Sequence, residues 1–401
     1  MKILVVCQHY WPEPYYLSDV CEELVRRGHE VHVVTDVPNY PMGYIYEDYR
    51  HGRNREQTRN GVRITRTFTI GRRQNALFRL LNYYSYSFSS TLYALRLSGD
   101  YDVVFTNETS PIMMTRAATA YSRKWHKKCV MYCMDLWPAC LAAGGLKLES
   151  PIYRFFGVVS KKLYNRADRI LITSHMFHDY LVNEHGVDDA KIEYFPQYAP
   201  ARFEHLPPVP EKDTVDFVFA GNIGAAQSLD TLLHAAKLLQ GENWGGKALR
   251  WHIVGDGSQL ENLKRLATEL QLDNVIFYGR KPPEAMPQYY AMADAMLVTL
   301  TADPFISLTL PGKVQTYMAA GKPILAEANG EIPKLLEEAR CGYCAPAENA
   351  EAFADVVRRF LAEPEKQKLG ENARRYYEDN FTRVKFMDRL EAQLRNISGI
   401  T

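Results

Sequence analysis

The stretch LPGKVQTYMAAGKPIL, residues 310–325, places a lysine where a Pro-Gly turn passes into a helix. Pro311 and Gly312 suit the first turn of a helix, whose leading N–H groups have no internal partner and whose dipole end is positive. An anion there finds hydrogen-bond donors ready, and Lys313 adds a mobile positive charge. The stretch therefore predicts a phosphate-binding helix start. An ordinary helix, turn and strand with a solvated lysine is the competing interpretation.

Two glycine-containing turns each follow an apolar strand. GNIG (221–224) follows VDFVFA and opens a helix, and GDG (255–257) follows LRWHIV. Glycine lets the backbone approach a diphosphate, and both turns fall at the carboxyl edge of a sheet, where open α/β sheets bind ligands. A tight turn needs glycine in any case, which is the alternative explanation for each motif alone.

Three further charged side chains follow apolar strands. Arg280 comes after NVIFYG, and its planar guanidinium suits phosphate or a nucleotide base, although a surface arginine is the alternative. Asp135 follows CVMYC within MDLWP, where a carboxylate can orient a sugar hydroxyl or carry a proton, while a helix cap is the simpler role. Glu13, in HYWPEPYY, follows the first strand on the equivalent rim.

Candidate metal ligands lack complete sets. Cys341 and Cys344 form a CxxC without a second pair at zinc-site spacing, and His175 and His178 have no third ligand in view. The seven cysteines are an odd number scattered over a long chain, which favours reduced thiols. We expect no metal and no cofactor.

Short apolar strands alternate with amphipathic helices along both halves of the chain. The first series runs from KILVV (2–6) to DRILIT (168–173), and the second runs from VDFVFAG (215–221) to PILA (323–326). Such alternation predicts parallel sheets with helices on both faces. Between the two series, five prolines in 196–213 exclude a continuous helix or a central strand, so this segment is predicted as a linker.

The predicted fold class is therefore α/β, with two doubly wound, Rossmann-like domains facing one another across a cleft. We expect a first domain over 1–200, a second domain over 214–375 and a C-terminal helix over 376–401 that crosses back to the first domain. The length of 401 residues is sufficient for two cores.

Charge and hydropathy exclude two broad classes. A formal net charge of +1 is untypical of a nucleic-acid-binding protein, and no apolar stretch approaches the ~20 residues that span a bilayer. The opening residues MKILVVCQHYWPEP lack the layout of a signal peptide. We therefore expect a cytoplasmic protein.

The segment 72–99 has apolar residues at helical spacing, several tyrosines, and arginines at positions 72, 73, 79 and 96. A basic, tyrosine-rich amphipathic helix can lie in a membrane interface and meet anionic lipid. We expect peripheral association with the inner face of the cell membrane through this segment, with core packing as the alternative for part of it.

An ordered set of segments from residue 1 to about 390 resembles the family 4 glycosyltransferases of bacterial surface-polysaccharide assembly. Among these segments are MDLWPACLAAGGL, FAGNIGAAQSLDTLL, HIVGDGSQLENL and LPGKVQTYMAAGKPIL. More narrowly, they resemble the O-antigen and capsule branch that includes the fucosamine transferases. The resemblance implies the GT-B fold, with an acceptor-binding domain over 1–200 and a nucleotide-sugar-binding domain over 214–375. It also implies a nucleotide-diphospho-sugar donor, retention of configuration without a required metal, and a polyprenyl-diphosphate-linked saccharide acceptor at the cytoplasmic face.

With this resemblance, Lys313 and Arg280 are predicted to stabilise the leaving diphosphate, and Asp135 with Glu13 to position the acceptor. The predicted donor-binding residues are Gly221, Asn222, Gly224, Gln227, Gly255, Asp256, Pro311, Gly312 and Glu331. The donor is expected to be a UDP-N-acetyl sugar.

The chain departs from the family pattern at several charged positions. Leu308 and Thr316 occupy the positions at which the wider family has two glutamates. Asn222 and Gln227 occupy the positions of its basic pair. Met134 replaces the histidine common beside Asp135. Two alternatives therefore stay open, namely a hydrolysing nucleotide-sugar 2-epimerase and a catalytically silent nucleotide-sugar-binding scaffold.

Overall fold

The chain divides into two compact units in a computed structural model that describes residues 1–73 and 75–400. The first unit comprises Met1–Phe195 together with the chain from Met387 onward, and the second comprises Pro196–Phe386. The division falls at Pro196, so the proline-containing segment 196–213 belongs to the second unit rather than lying between two units.

The first unit contains an eight-stranded sheet in the order β3-β4-β2-β1-β5-β6-β7-β8. Its strands are β1 Lys2–Val6, β2 Glu30–Thr35, β3 Glu56–Arg59, β4 Val62–Arg66, β5 Val103–Glu108, β6 Lys128–Cys133, β7 Arg169–Ile172 and β8 Ile192–Tyr194. Neighbouring strands are parallel except β3 and β4, which form an antiparallel edge pair. This pair was not predicted, because the polar strand EQTR has no apolar run.

The helices of the first unit cover both faces of this sheet, as parallel strands require. They are α1 Leu17–Arg26, α2 Ala76–Ala94, α3 Arg116–Trp125, α4 Ala139–Ala143, α5 Pro151–Tyr164 and α6 Phe177–His185. Because the sheet is covered on both faces, its central strands are buried without alternation; all six residues of β5 are buried.

The second unit contains a six-stranded, all-parallel sheet in the order β11-β10-β9-β12-β13-β14. Its strands are β9 Thr214–Ala220, β10 Ala248–Val254, β11 Val275–Gly279, β12 Ala295–Thr299, β13 Ile324–Glu327 and β14 Gly342–Ala345. Its helices are α7 Leu229–Leu238, α8 Leu260–Glu269, α9 Met286–Met292, α10 Gly312–Ala319, α11 Glu331–Ala339, α12 Ala350–Ala362 and α13 Lys366–Asn380.

In both sheets the direction of the chain connections reverses at one point. In the first sheet the reversal lies between β1 and β5, and in the second it lies between β9 and β12. At this point the loops after the two neighbouring strands lead to opposite faces of the sheet. A crevice therefore opens beyond the carboxyl ends of these strands. Each unit thus has one edge at which a ligand site is expected.

A last helix, α14 Arg383–Ser398, follows α13 after a break. Phe381 is non-helical, and the Thr382 hydroxyl accepts a hydrogen bond from the N–H of Lys385, which starts a new helix. The stretch predicted as one C-terminal helix therefore contains the end of α13 and then α14. From Met387 onward α14 packs on the first unit, where Arg27 contacts both Asp388 and Glu391.

No helix within residues 1–73 and 75–400 combines the length and the apolar character that a membrane crossing needs.

Candidate functional site

The start of α10 is held at the end of β9 by one tyrosine. The Tyr317 hydroxyl donates to the carbonyl oxygen of Ala220 at 3.0 Å and accepts from its N–H at 3.1 Å. Pro311 precedes the helix with extended backbone, and the first turn has no side-chain cap. The leading N–H groups of α10 are thus presented beside the point where the second sheet reverses, and a ligand can use them.

Lys313 extends along this edge. Its ammonium nitrogen donates to the Gln227 side-chain oxygen and lies 4.0 Å from the centre of the Phe219 ring. A Cβ atom added to Gly221 would lie 3.2 Å from the same nitrogen, so the absence of a side chain at Gly221 leaves the ammonium room. Burial lowers the pKa of Lys313 to about 7. An anion bound here would offset this desolvation, because an opposite charge favours the ammonium form.

The two glycine turns pack directly on one another. A Cβ atom on Gly255 would lie 1.8 Å from the carbonyl oxygen of Gly221, and one on Gly257 would lie 2.3 Å from that of Ile223. The Ile223 N–H in turn donates to the Asp256 carbonyl oxygen at 3.0 Å. Gly255 is therefore needed for this close approach, whether or not a ligand binds.

Other predicted residues lie along the same edge with partners of their own. Arg280 pairs with Asp256 at 3.6 Å, and both side chains are largely exposed. Asn222 is exposed in the turn after β9. Glu331 is the first residue of α11 and is buried, following Gly330, which packs against the Ser307 carbonyl oxygen.

The two positions at which the wider family has glutamates hold uncharged side chains, Thr316 and Leu308. The Thr316 hydroxyl donates to the Lys313 carbonyl oxygen at 2.8 Å and lies 3.2 Å from the Tyr290 hydroxyl. Leu308 ends a short 3₁₀ helix that precedes α10. Gln197, which sequence reasoning did not single out, brings its side-chain oxygen close to Gly312, since a Cβ there would lie 3.1 Å from it.

A buried acid lies further along the second sheet. Glu327 ends β13 with no accessible surface, and its carboxyl group lies beside the Ser228 side chain. Burial, reinforced by Asp230 and Glu348, raises its pKa to about 9, so it is neutral at pH 7. Asp230 and Glu348 also line a cavity of 340 Å³ beside Gly224.

The edge of the first sheet carries a second buried acid beside a predicted residue. Glu108 ends β5 in register with Cys133 of β6, and its carboxyl group is buried beside the Cys133 side chain. Asp135 follows β6 by two residues. Burial raises the pKa of Asp135 to about 6, and burial together with Asp135 raises the pKa of Glu108 well above its ordinary range. When two carboxyl groups lie near one another, the negative charge on the first disfavours ionisation of the second.

Glu13 is buried rather than exposed at the sheet edge. Its side chain has no accessible surface; one oxygen lies 2.8 Å from His9 Nδ1, and the other accepts the N–H groups of Asn39 and Tyr40, both at 2.6 Å. Glu13 therefore ties the loops after β1 and β2 together. It can influence a bound acceptor only through a neighbour.

Sequence reasoning missed His9, Glu108 and Glu327 as functional candidates. A usable signal exists for the two acids, since each is a carboxylate at the last position of an apolar strand, as in VVFTNE and ILAE. His9 has no such signal, because its importance depends on the contact with Glu13.

Two family models match consecutive parts of the chain. The model described as "Glycosyltransferase Family 4" matches residues 15–197, and the one described as "Glycosyl transferases group 1" matches residues 202–376. The chain is 26% identical over 394 residues to the putative colanic acid biosynthesis glycosyl transferase WcaI of Escherichia coli, covering 91% of this chain and 93% of that protein. It is 28% identical over 312 residues to the probable glycosyltransferase WbjE of Pseudomonas aeruginosa, covering 73% and 74%.

Solved structures share the fold at low identity. The sucrose-phosphate synthase of Thermosynechococcus elongatus matches with a TM-score of 0.76 at 16% identity, over 99% of this chain and 98% of that one. HepE of Anabaena in complex with UDP matches with a TM-score of 0.71 at 16% identity, over 99% and 100%. These similarities confirm the predicted fold class, two parallel-sheet α/β domains of the GT-B type.

Proposed function

Since the chain belongs to the family 4 glycosyltransferases, with a group 1 glycosyltransferase domain in its second unit, we propose that it moves a sugar from a nucleotide-diphospho-sugar to a lipid-linked saccharide. The product would be part of a bacterial surface polysaccharide, which agrees with relatives named for colanic acid and lipopolysaccharide synthesis.

One observation carries the donor proposal, namely the position of the Lys313 ammonium. It lies beside Gly221 and Gln227 at the reversal point of the second sheet, next to the uncapped start of α10. A diphosphate placed there would meet free N–H groups, the positive helix end and a cation at once. We propose a uridine nucleotide with an N-acetyl sugar as donor; the matching HepE structure contains UDP.

The reaction would break the bond between the anomeric carbon and the diphosphate oxygen, and would form a bond from that carbon to an acceptor hydroxyl oxygen. Negative charge grows on the departing diphosphate, so Lys313 lowers the barrier by neutralising it. When the donor binds, Arg280 would break its ion pair with Asp256 and pair with the same phosphates. The hydroxyl proton passes to the leaving phosphate oxygen, which favours attack on the side that the diphosphate leaves and therefore retention of configuration.

The proposed contact with the acceptor involves a residue of the first unit. Asp135 follows β6 near the reversal point of its sheet, and above pH 6 its carboxylate could accept a hydrogen bond from an acceptor hydroxyl.

Membrane association would present the lipid-linked acceptor. The buried side chains of α2 are mixed, with Asn82, Ser87 and Ser90 beside Tyr86 and Ala94. The exposed apolar and aromatic residues of α2 and its end are Leu77, Leu80, Leu81, Tyr84, Phe88, Leu92 and Leu95. A helix that exposes a row of apolar side chains suits a lipid interface. We propose that α2 lies on the inner face of the cell membrane, with Arg79 and Arg96, both exposed, facing anionic head groups.

A second candidate is the hydrolysing nucleotide-sugar 2-epimerase. The specific observation in its favour is the set of titratable groups at the edge of the first sheet, where Glu108 and Asp135 could exchange protons with a sugar. It would also require nucleotide-sugar binding, so the donor site alone does not separate the two.

The test is product analysis. The full-length protein is incubated with radiolabelled nucleotide-sugars, one at a time, with and without bacterial membrane extract, and the products are identified by mass spectrometry. Transfer predicts free nucleoside diphosphate together with an elongated lipid-linked saccharide that forms only with extract. Epimerised or hydrolysed sugar in the absence of extract would favour the second candidate, and nucleotide binding without any turnover would contradict both.

A further inference from the structure

A histidine and a glutamate form a buried pair in the loop after β1, the strand at which the first sheet reverses. His9 Nδ1 lies 2.8 Å from Glu13 Oε2. Glu13 Oε1 accepts two backbone N–H groups, so both oxygens of this carboxylate face hydrogen-bond donors. A carboxylate oxygen accepts hydrogen bonds, so His9 Nδ1 carries the hydrogen.

This arrangement determines what the other ring nitrogen can do. In the neutral imidazole with a hydrogen on Nδ1, Nε2 presents a lone pair and acts as an acceptor. Nε2 of His9 makes no hydrogen bond with any residue of 1–73 or 75–400. The side chain keeps 3% of its accessible surface, whereas that of Glu13 keeps none. His9 is therefore an almost buried polar group with an unused acceptor.

Aromatic contacts hold the ring in one plane. His9 stacks on Tyr15 with ring centres 5.0 Å apart and an interplanar angle of 8°, and it meets Tyr40 at 5.4 Å. With both rings and Glu13 in contact, the direction of the Nε2 lone pair is set before any ligand arrives, which lowers the entropy cost of binding.

A metal ion is the obvious alternative, because ligand atoms of His9, Glu13 and Asp36 lie within 4.8 Å of one another. The Glu13 oxygens, however, already face two N–H groups and the imidazole, so a cation would meet N–H dipoles with their positive ends towards it. Asp36 accepts from the Asn39 side chain at 3.0 Å, and burial and the Glu13 charge raise its pKa well above the ordinary range. The cluster is a hydrogen-bonded one rather than a set of free ligands.

We propose that His9 Nε2 accepts a hydrogen bond from a hydroxyl group of the saccharide acceptor, and that Glu13 is the positioning residue that fixes the tautomer of His9. This inference rests on the proposed transfer to a saccharide. A hydroxyl group is the fitting partner because Nε2 offers only a lone pair, and the ligand must therefore bring the donor. His9 orients the acceptor, and it neither gains nor loses a proton in the reaction.

The tautomer is tested without any enzymatic assay. Full-length protein labelled with ¹⁵N at histidine is examined by long-range ¹H–¹⁵N correlation, and the His9 signals are assigned by their loss in His9→Gln. We expect a hydrogen on Nδ1 and none on Nε2 in the parent, and a mixture of tautomers in Glu13→Gln. A parent in which Nε2 carries the hydrogen would overturn the proposal, as would a Glu13→Gln spectrum identical to the parent's.

The ligand is tested in the same sample. Octyl N-acetyl-β-glucosaminide, a soluble stand-in for a lipid-linked saccharide, is added to saturation with UDP present. A hydrogen bond to Nε2 should move its ¹⁵N resonance while the Nδ1 resonance moves less. No movement of Nε2 at saturation contradicts the proposal, even if sugar transfer itself has been demonstrated.

Kinetics complete the test with two variants of matched size. His9→Phe keeps a ring between the tyrosines but has no acceptor, and His9→Gln keeps an acceptor near the position of Nε2. We expect His9→Phe to raise the KM for the acceptor about tenfold, the loss of one hydrogen bond, and His9→Gln to recover most of it. Equal acceptor KM values in His9→Phe and the parent overturn the proposal. Absence of transfer in the parent would refute the proposed function instead, and the two spectroscopic results would still decide the role of His9.

Discussion

The ammonium nitrogen of Lys313 lies 4.0 Å from the centre of the Phe219 ring, so this cation rests on an aromatic face and is withdrawn from water. The contact explains how a lysine can be held at the carboxyl edge of β9 although no carboxylate of residues 1–73 or 75–400 pairs with it. Its one side-chain hydrogen bond there goes to the neutral Gln227. A diphosphate would supply the missing negative charge.

The first prediction concerns proton uptake on nucleotide binding. Burial lowers the pKa of Lys313 to about 7, and a bound diphosphate would raise it, so binding above pH 7 should take up a proton. UDP affinity should therefore fall as pH rises from 7 to 9. Calorimetry in buffers of different ionisation enthalpy measures the uptake directly.

Lys313→Met should weaken UDP binding at pH 7 by about 10- to 100-fold, corresponding to about 1.5–3 kcal/mol for a charged hydrogen bond, and abolish the proton uptake. Lys334→Met, at an exposed position of the same unit, is the matched control. Parental UDP affinity in Lys313→Met would contradict the assigned role.

The second prediction is an acidic limit to sugar transfer near pH 6. Burial raises the pKa of Asp135 to about 6, so its carboxylate form is present above that pH and is lost below it. The kcat/KM for the acceptor should fall about tenfold per pH unit below 6. Asp135→Asn should lower the rate at pH 7.5 by about 100-fold and remove this limb. If kcat/KM still falls below pH 6 in Asp135→Asn, a group other than Asp135 is responsible for the fall.

The third prediction concerns how the free energy of unfolding falls as pH rises. Glu327 is neutral in the folded protein up to about pH 9 but ionises above about pH 4.5 when unfolded, so the parent loses stability as pH rises between these values. Glu327→Gln has no such group. It should exceed the parent in free energy of unfolding by at least about 1 kcal/mol at pH 8, with the difference vanishing near pH 4. Urea denaturation across this pH range measures both, with the exposed Glu337→Gln as control.

The fourth prediction concerns the opposite edge of the second sheet. Asp216 accepts hydrogen bonds from His252 at 2.8 Å and Lys212 at 2.6 Å. Burial alone would raise its pKa, but these donors hold the pKa below the usual range. Asp216→Asn should therefore lower the free energy of unfolding by roughly 2–3 kcal/mol at pH 7, and the loss should shrink as pH falls below 4.

Asp273→Asn, an exposed position in the same unit, serves as the control for this measurement. A loss in Asp216→Asn that is independent of pH would show that packing rather than charge is responsible.

The fifth prediction tests the outward face of α2. Phe88 and Leu92 are exposed at 61% and 41%. Replacing both by glutamine should weaken co-sedimentation with anionic vesicles by at least about tenfold, since each side chain contributes roughly 1.5 kcal/mol when buried in lipid. Leu238→Gln removes a similarly exposed apolar side chain from the second unit and should have no effect. Equal vesicle binding in the double variant and the parent would refute this membrane surface.

Much of the fold could be predicted from periodicity alone. The strand predicted at 2–6 is Lys2–Val6, and the strand predicted at 168–173 is Arg169–Ile172. The resemblance to family 4 glycosyltransferases is confirmed by the matching family models and by relatives in surface-polysaccharide synthesis. The antiparallel partner of β4 escaped prediction because an exposed edge strand needs no apolar run.

Two buried acids show where prediction from sequence stops. Glu108 and Glu327 stand in apolar strands, so their positions were visible, but their raised pKa values depend on which residues surround them. Glu13 shows the reverse case, because its residue type suggested contact with an acceptor while the structure encloses it completely.

The sequence by itself determined the alternation of strands and helices, and with it the two edges where ligand sites are expected, because burial of apolar periodic segments needs only local order. It also determined that a lysine lies in the first turn of α10. Only the tertiary structure decided that this lysine meets Phe219 and Gln227, and that Glu13 acts on His9. The Lys313 contacts join a helix to a strand and a turn that lie at least 86 residues earlier in the chain, and the His9–Glu13 contact depends on how the single loop after β1 folds against the loop after β2. These distances follow from packing that the pattern of apolar residues does not encode.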